Sequence, residues 1–211
     1  MTDTRTTRVK VITQASGHLL SIESCRRHLE VEAIDADSDG NESHPDDALI
    51  LAMLDAAVEH AEAFTGLSIM LRTYEIAFDE FPDGAIELPR PPFVELVSFY
   101  AGNDSDGLLT QDEDFTVDDY GDVVRLVPVL AWPTTTEATN TVKIRFRAGY
   151  SSEADPDSDS QTLPASIRAA VLLCLGHLYA NREDSTEKAM TFLPGGFEAL
   201  LRPLRVRLGF A

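Results

Sequence analysis

The stretch Asp46 to Phe78, DDALILAMLDAAVEHAEAFTGLSIMLRTYEIAF, holds the change of period that decides the fold. Its first part repeats apolar residues at helical spacing. One stripe is Leu49, Met53, Ala56, His60 and Phe64; a second is Ile50, Leu54, Val58 and Ala61. A surface helix needs one such stripe. Two predict a helix covered on two sides, either within the fold or between subunits. Ser43 and Asp46 suit its cap, Pro45 its first turn and Gly66 its left-handed stop. Beyond Gly66 the period falls to two. Tyr74, Ile76 and Phe78 alternate with Glu75, Ala77 and Asp79, which predicts a strand.

Towards the C-terminus, further strands are expected at Ile86 to Leu88, Phe93 to Tyr100, Asp114 to Val117, Val123 to Val127 and Thr141 to Ala148. Turn-forming clusters separate them. Pro89-Arg-Pro-Pro92 cannot sit in a central strand and marks an edge or a corner. Helical spacing returns from Pro164 to about Asn181. Ile167, Val171, Cys174 and Leu178 form one face there, and Leu172, Leu175 and Tyr179 another. A last amphipathic segment carries Phe197, Leu200, Leu201, Leu204 and Leu208, with Pro203 interrupting it.

Towards the N-terminus, Ser21 to Val31 reads as a helix capped by Ser21, with Glu23 favourable in its first turn. Residues 1–17 read as an arm or short strand. The order is helix, helix, β insert, helix, helix. That predicts an α+β fold in which N- and C-terminal helices form a bundle around an inserted antiparallel β-rich subdomain. The expected divisions are an arm at 1–17, a helical core at 18–68 and 162–211, a β-rich insert at 69–150, and an acidic loop at 151–161.

The chain has 211 residues, enough to bury a core without staples. Its 17 Lys and Arg face 36 Asp and Glu, a formal net charge of −19. Affinity for a duplex comes largely from cations on phosphates, so this balance argues against gripping DNA. It also argues against anionic lipid. It fits solubility, basic partners, or a passage that DNA crosses without sticking. Between Glu75 and Asp122 the only base is Arg90. No run is apolar enough for a signal peptide or a membrane span, so no membrane partner is expected. Cys25 and Cys174 sit among apolar neighbours in helical segments and read as packing residues.

Catalytic signatures are missing: no phosphate-binding glycine loop, no nucleophile elbow and no zinc-protease motif. His18, His28, His44, His60 and His177 lack metal-ligand spacing. The expectation is a protein that is not an enzyme and has no cofactor. Asp35, Asp37, Asp39 and Gly40, with Asp46 at the last position, match a calcium-loop template except that Asp replaces Glu. The competing reading is an acidic interhelical loop. Asp is short for bidentate ligation, and Glu42 and Pro45 stand where a paired calcium loop packs apolar residues. A similar string, Asp155-x-Asp157-x-Asp159, recurs without Gly. Lys143, Arg145 and Arg147 fall on one strand face, either as salt-bridge partners for nearby acids or as a nucleic-acid contact.

Several segments in order carry a family resemblance. They are Leu20-Ser-Ile-Glu-Ser-Cys-Arg-Arg-His-Leu-Glu-Val31, Asp46-Asp-Ala-Leu-Ile50, Ala61-Glu-Ala-Phe-Thr-Gly66, Leu88-Pro-Arg-Pro-Pro92 and Val142-Lys-Ile-Arg-Phe-Arg-Ala-Gly-Tyr150. They continue with Leu163-Pro-Ala-Ser-Ile-Arg-Ala-Ala170, His177-Leu-Tyr-Ala-Asn-Arg182 and Leu193-Pro-Gly-Gly-Phe-Glu-Ala-Leu-Leu201. Their succession resembles the head–tail connector (adaptor) proteins of long-tailed phages, prophages and gene-transfer particles. The acidic loops at Asp35–His44 and Ser151–Gln161, and the tail beyond Leu204, depart from it by their length.

The resemblance implies a virion subunit at the head–tail interface, made in the host cytoplasm. It implies a ring of about twelve copies, closed by heterologous contacts. The ring would join the portal protein to a tail-side stopper or terminator, with genomic DNA passing through unbound. Ring-interface candidates are Ile50, Leu54, Val58, Leu172, Leu175 and Tyr179. Portal-docking candidates are Phe197, Leu201, Leu204, Arg205, Arg207 and Phe210; the alternative for these is an ordinary core-packing last helix. Competing functions are a tail-side completion protein or a calcium-binding interaction module.

Overall fold

The structure, a computed structural model, describes residues 8–36, 42–102, 107–135, 139–153, 160–182 and 195–206. Strand β1 (Arg8–Thr13) precedes helix α1 (Ile22–Leu29), a two-residue ribbon of β2 (Asp35–Ala36) and β3 (Glu42–Ser43), and the long helix α2 (Asp47–Thr65). The β insert follows as β4 (Arg72–Phe78), β5 (Ile86–Glu87), β6 (Phe93–Ala101), β7 (Phe115–Asp118), β8 (Arg125–Pro128) and β9 (Val142–Ala148). Helices α3 (Ala165–Ala180) and α4 (Gly195–Leu201) close the order, with a 3₁₀ turn at Arg202–Leu204. The fold is α+β, and each strand that period two predicts is present within two residues of its expected ends.

Local chemistry explains the helix ends. Ser21 Oγ accepts the Ser24 N–H at 3.2 Å, an N-cap, and Glu30 ends α1 in the left-handed region at φ 56°. Gly66 ends α2 at φ 78°, its N–H reaching Glu62 O. The start of α2 differs from expectation. Ser43 is held in the ribbon and does not cap. Asp46 takes the N-cap position without a side-chain cap, because its carboxylate is engaged elsewhere. Asp47 closes the first turn instead, accepting the His44 N–H at 2.9 Å.

The helices share one core. Leu19, Leu20, Ile50, Leu54, Ile167, Val171, Leu175, Phe197 and Leu201 are at most 1% exposed there. Ala57, Ala61 and Ala170 are fully buried, small enough for the α2 and α3 backbones to approach. Cys25 and Cys174 are free and buried in this core, and burial, with Glu153 nearby, pushes the Cys25 thiol up to about 11. Such thiols pack rather than react.

The insert has a second core between two antiparallel sheets. One sheet has the order β1-β4-β9-β6, the other β5-β8-β7. Their inner faces meet at Phe99 and Phe115, with ring centroids 5.1 Å apart. Along β9, Val142, Ile144, Phe146 and Ala148 point inward while Lys143, Arg145 and Arg147 alternate with them. Of the arm or short strand expected over residues 1–17, the described part is a strand. Arg8 to Thr13 pair in antiparallel register with β4, Val9 opposite Ile76 and Val11 opposite Tyr74. Alternating Val9, Val11 and Lys10 suits an edge strand with one face on the core.

Three contact points fix the path of the chain between helices and insert. At the first, Glu62 Oε1 accepts the N–H groups of Ile69 (2.8 Å) and Met70 (3.1 Å). At the second, the Pro89–Pro92 run forms the expected corner between the sheets. Its Pro91 and Pro92 carbonyls accept the N–H groups of Ser68 and Gly149, both at 2.9 Å. At the third, Gly149 has φ 132°, and a Cβ there would lie 2.4 Å from Met70 O. Only glycine tolerates both the angle and the approach.

Candidate assembly surfaces

The two stripes of α2 have different fates. Ile50, Leu54 and Val58 are 0–3% exposed and face α1 and α3 within the subunit. Leu175 is fully buried in the same core. These four are therefore corrected as ring-interface candidates, because an intramolecular core already covers them. The other stripe is only partly covered. His60 and Phe64 pack on Phe197 of α4, with centroids 5.3 and 6.2 Å apart, while Leu49 remains 39% exposed. Two-sided covering of α2 is thus met within the chain at its C-terminal half.

Leu172 and Tyr179 are half-buried. The Tyr179 hydroxyl donates to Asp46 at 2.9 Å, and Arg182 lies over the Tyr179 ring at 4.1 Å while donating to the same carboxylate oxygen at 2.6 Å. These partners, Arg182 first, hold the Asp46 carboxyl below its usual range. Of the calcium template, Asp46 is thus engaged by Tyr179 and Arg182. Asp35 contributes backbone to the ribbon, and Asp37 and Asp39 lie outside the described residues. Among the described residues no cluster of His, Cys, Asp and Glu could hold a metal ion.

The C-terminal candidates divide. Phe197 and Leu201 are fully buried and are corrected from docking to core residues, because α4 needs its apolar face against α2 and α3. Leu204 is half-buried, and Arg205 is exposed with its guanidinium 5.7 Å from the Phe64 ring. Arg207 and Phe210 lie outside the described residues. The Val206 N–H reaches Thr65 O at 2.8 Å, which pins this segment beside the end of α2.

Two surface features were not foreseen. A cleft of about 530 Å³ opens where the Pro203–Val206 segment meets Pro91, Pro92 and the β7–β8 turn. Its walls come from separate segments spread from Leu67 to Val206, so no local pattern announces it. Two large apolar side chains also stand in solvent: Tyr120, 100% exposed at the β7–β8 turn, and Leu130, 95% exposed beyond β8.

The outer faces of the two sheets carry rows of paired charges. On the larger sheet the register brings Lys10, Glu75 and Arg145 into one row, and Arg147 beside Glu95 in another. Arg145 donates to Glu75 at 2.6 Å and Arg147 to Glu95 at 2.7 Å. The salt-bridge reading of the Lys143–Arg147 triplet therefore holds for these two arginines. On the smaller sheet the corresponding row is Glu87, Arg125 and Asp118, with Asp119 and Asp122 in the adjoining turn. Arg125, ahead of the Tyr120 N–H, holds the Asp118 carboxyl below its usual range.

No family model and no curated protein matches the sequence. Solved structures do match the fold. A chain of the neck of an empty gene transfer agent particle, computed with C6 symmetry, superposes with a TM-score of 0.72 at 22% identity, covering 97% of this chain and 98% of that one. A chain of the virion of the native gene transfer agent particle gives 0.72 at 22%, covering 96% and 98%. A chain of the native neck computed with C12 symmetry gives 0.70 at 22%, covering 97% and 98%. At this identity the likeness establishes a common fold over nearly the full length of both chains.

Proposed function

We propose that this chain, which has the fold of chains found in gene transfer agent necks, is a structural head–tail connector subunit of a tailed-phage-like particle. The observation that carries the reading is the two-way coverage: the fold match spans nearly all of both chains. Copies assemble into a ring of about twelve by heterologous contacts. One side of the ring meets the portal protein and the other a tail-side stopper or terminator. The net charge of −19 suits a wall past which DNA slides without binding.

Surface chemistry supports a protein that works by contact. Leu49, Leu173, Tyr120 and Leu130 are apolar and exposed. Arg205 and Leu204 remain as the described part of the portal-docking segment.

Deleting the gene from a producing genome tests the reading. DNA-filled heads without tails are expected, and normal tailed particles would sink it. Cross-linking of the chain in assembled particles separates it from a tail-side completion protein. Adducts with portal are expected; adducts with the tail tube alone would favour the completion role.

A further inference from the structure

The cleft of about 530 Å³ lies on the seam between the two cores. Leu67 and Tyr150 of its lining belong to the helical core, and Phe93 and Val124 to the core of the insert. Clefts of roughly 300–1,000 Å³ seat ligands of several side chains' bulk. Asp119 and Asp122 of the β7–β8 turn give the lining its negative charge. The nearby donors go to Asp118 instead, from Arg125 and from the Tyr120 N–H at 3.2 Å. Among the described residues no ion pair takes up Asp119 or Asp122. The last described residues, Pro203 to Val206, are themselves part of the lining, and the Val206 N–H holds Thr65 O at 2.8 Å. Residues 207–211 follow directly as Arg207-Leu-Gly-Phe-Ala211. We propose that the cleft is the seat of this segment of the same chain, with Leu208 and Phe210 on the apolar lining and Arg207 against Asp119 and Asp122. The proposal goes beyond the connector reading and does not depend on it.

Pattern, reach and tethering select this occupant. In extended backbone, side chains two apart share a face, so Leu208 and Phe210 fall on one side and Arg207 on the other. That division matches a lining with apolar side chains and an acidic turn. Five extended residues span about 17 Å, and they start from Val206, inside the lining. A segment joined so closely to its site meets it at an effective concentration on the order of millimolar. A free peptide, or the same segment of a second copy, must match that concentration to displace it. One consequence concerns partners. Any partner that takes Arg207 and Phe210 must first draw them from the cleft, and its apparent affinity falls by the fraction of copies in which the cleft is filled.

Cysteine pairs on the full chain test the seat. Ala211→Cys, which leaves Leu208 and Phe210 in place, is combined in turn with Val94→Cys or Val117→Cys, both in the lining. The control pairs it with Val97→Cys, on the same strand as Val94 but outside the lining and 51% exposed. Cys25 and Cys174 are buried and common to all three proteins. Cooperative unfolding like that of the wild type confirms that each variant folds, and the two lining positions stand in for one another if one does not. Disulfide formation in dilute solution is followed by the mass and mobility of the unreduced chain. The faster lining pair is expected to close within one chain at least about tenfold faster than the Val97 pair. Adding Asp119→Lys and Asp122→Lys is expected to slow it, and adding Arg207→Glu to that protein to restore the rate.

Closure at Val97 as fast as at both lining positions would overturn the proposal, because a segment without a seat reaches the more exposed cysteine at least as readily. Lining disulfides that form between chains, at a rate rising with protein concentration, would also overturn it and reassign the cleft to a second copy. A fast lining disulfide indifferent to the charge reversals would strike the Arg207 contact from it. None of these outcomes requires a ring, so the connector reading stands or falls separately.

Discussion

Glu62 and Arg72 are joined across the passage from helix to strand: Arg72 Nη1 donates to Glu62 Oε1 at 2.7 Å and to Oε2 at 2.6 Å. The pair is largely withdrawn from solvent, with side chains 11% and 16% exposed. Because Glu62 also accepts the Ile69 and Met70 N–H groups, one carboxylate sets the direction in which the chain leaves α2 and enters β4. Removing one partner of such a pair strands the other. Glu62→Ala is expected to cost about 3 kcal/mol, and Glu62→Gln, which keeps one acceptor, about 1–2 kcal/mol. Urea unfolding of the two variants checks the order; a Glu62→Gln variant as stable as wild type would show that the charge contributes nothing.

Gly149→Ala is expected to destabilise by at least about 2 kcal/mol, since its backbone angle and the Met70 carbonyl both oppose a side chain. Gly84→Ala is the control. Its φ of 99° is also positive, but a Cβ there meets nothing within 4 Å. Thermal melts of the pair separate the steric part from the backbone part.

Glu153 makes stability depend on acid. Burial pushes its carboxyl up, but the Ser21 N–H, Arg168 and Ser24 outweigh this and hold it down at about 2. A folded-state value below the unfolded one stabilises the protein above the unfolded value of 4.5. That contribution disappears as pH falls from 4.5 through about 2. Solvent screens the site, so the contribution is about 1 kcal/mol. Glu153→Gln should melt lower than wild type at neutral pH, and the two curves should converge on acidification. A constant gap down to pH ~2 would contradict the linkage.

Phe197 and Arg205 should separate folding from docking. Phe197→Ala is expected to cost about 3–5 kcal/mol, because a buried ring packed on His60 and Phe64 is lost. Arg205→Glu is expected to leave stability within about 0.5 kcal/mol while weakening capture by portal. Unfolding midpoints and portal pull-down, run on both variants, give the comparison.

Calcium at millimolar concentration is expected to leave the melting temperature unchanged, because Asp46 is held by Arg182 and Tyr179. A rise on adding calcium that Asp46→Asn abolishes would restore the loop as a binding site.

Element types and order were legible in the sequence because their signals are local. Ser21 starts α1 and Gly66 ends α2 by their own local chemistry, and Tyr74, Ile76 and Phe78 alternate whatever they pair with. The net charge of −19, and the argument it makes against gripping a duplex, need composition alone. Which apolar stripe turns inward is a different kind of fact. Ile50, Leu54 and Leu175 could equally have faced a neighbour until the helices met, and Phe197 and Leu201 could have docked outward until α4 folded onto α2 and α3. The recruitment of Arg8–Thr13 to the sheet and the Glu62–Arg72 clamp likewise depend on residues distant in the chain. Period and capping are properties of a segment; burial and pairing belong to the surfaces that meet, and only tertiary structure chooses them.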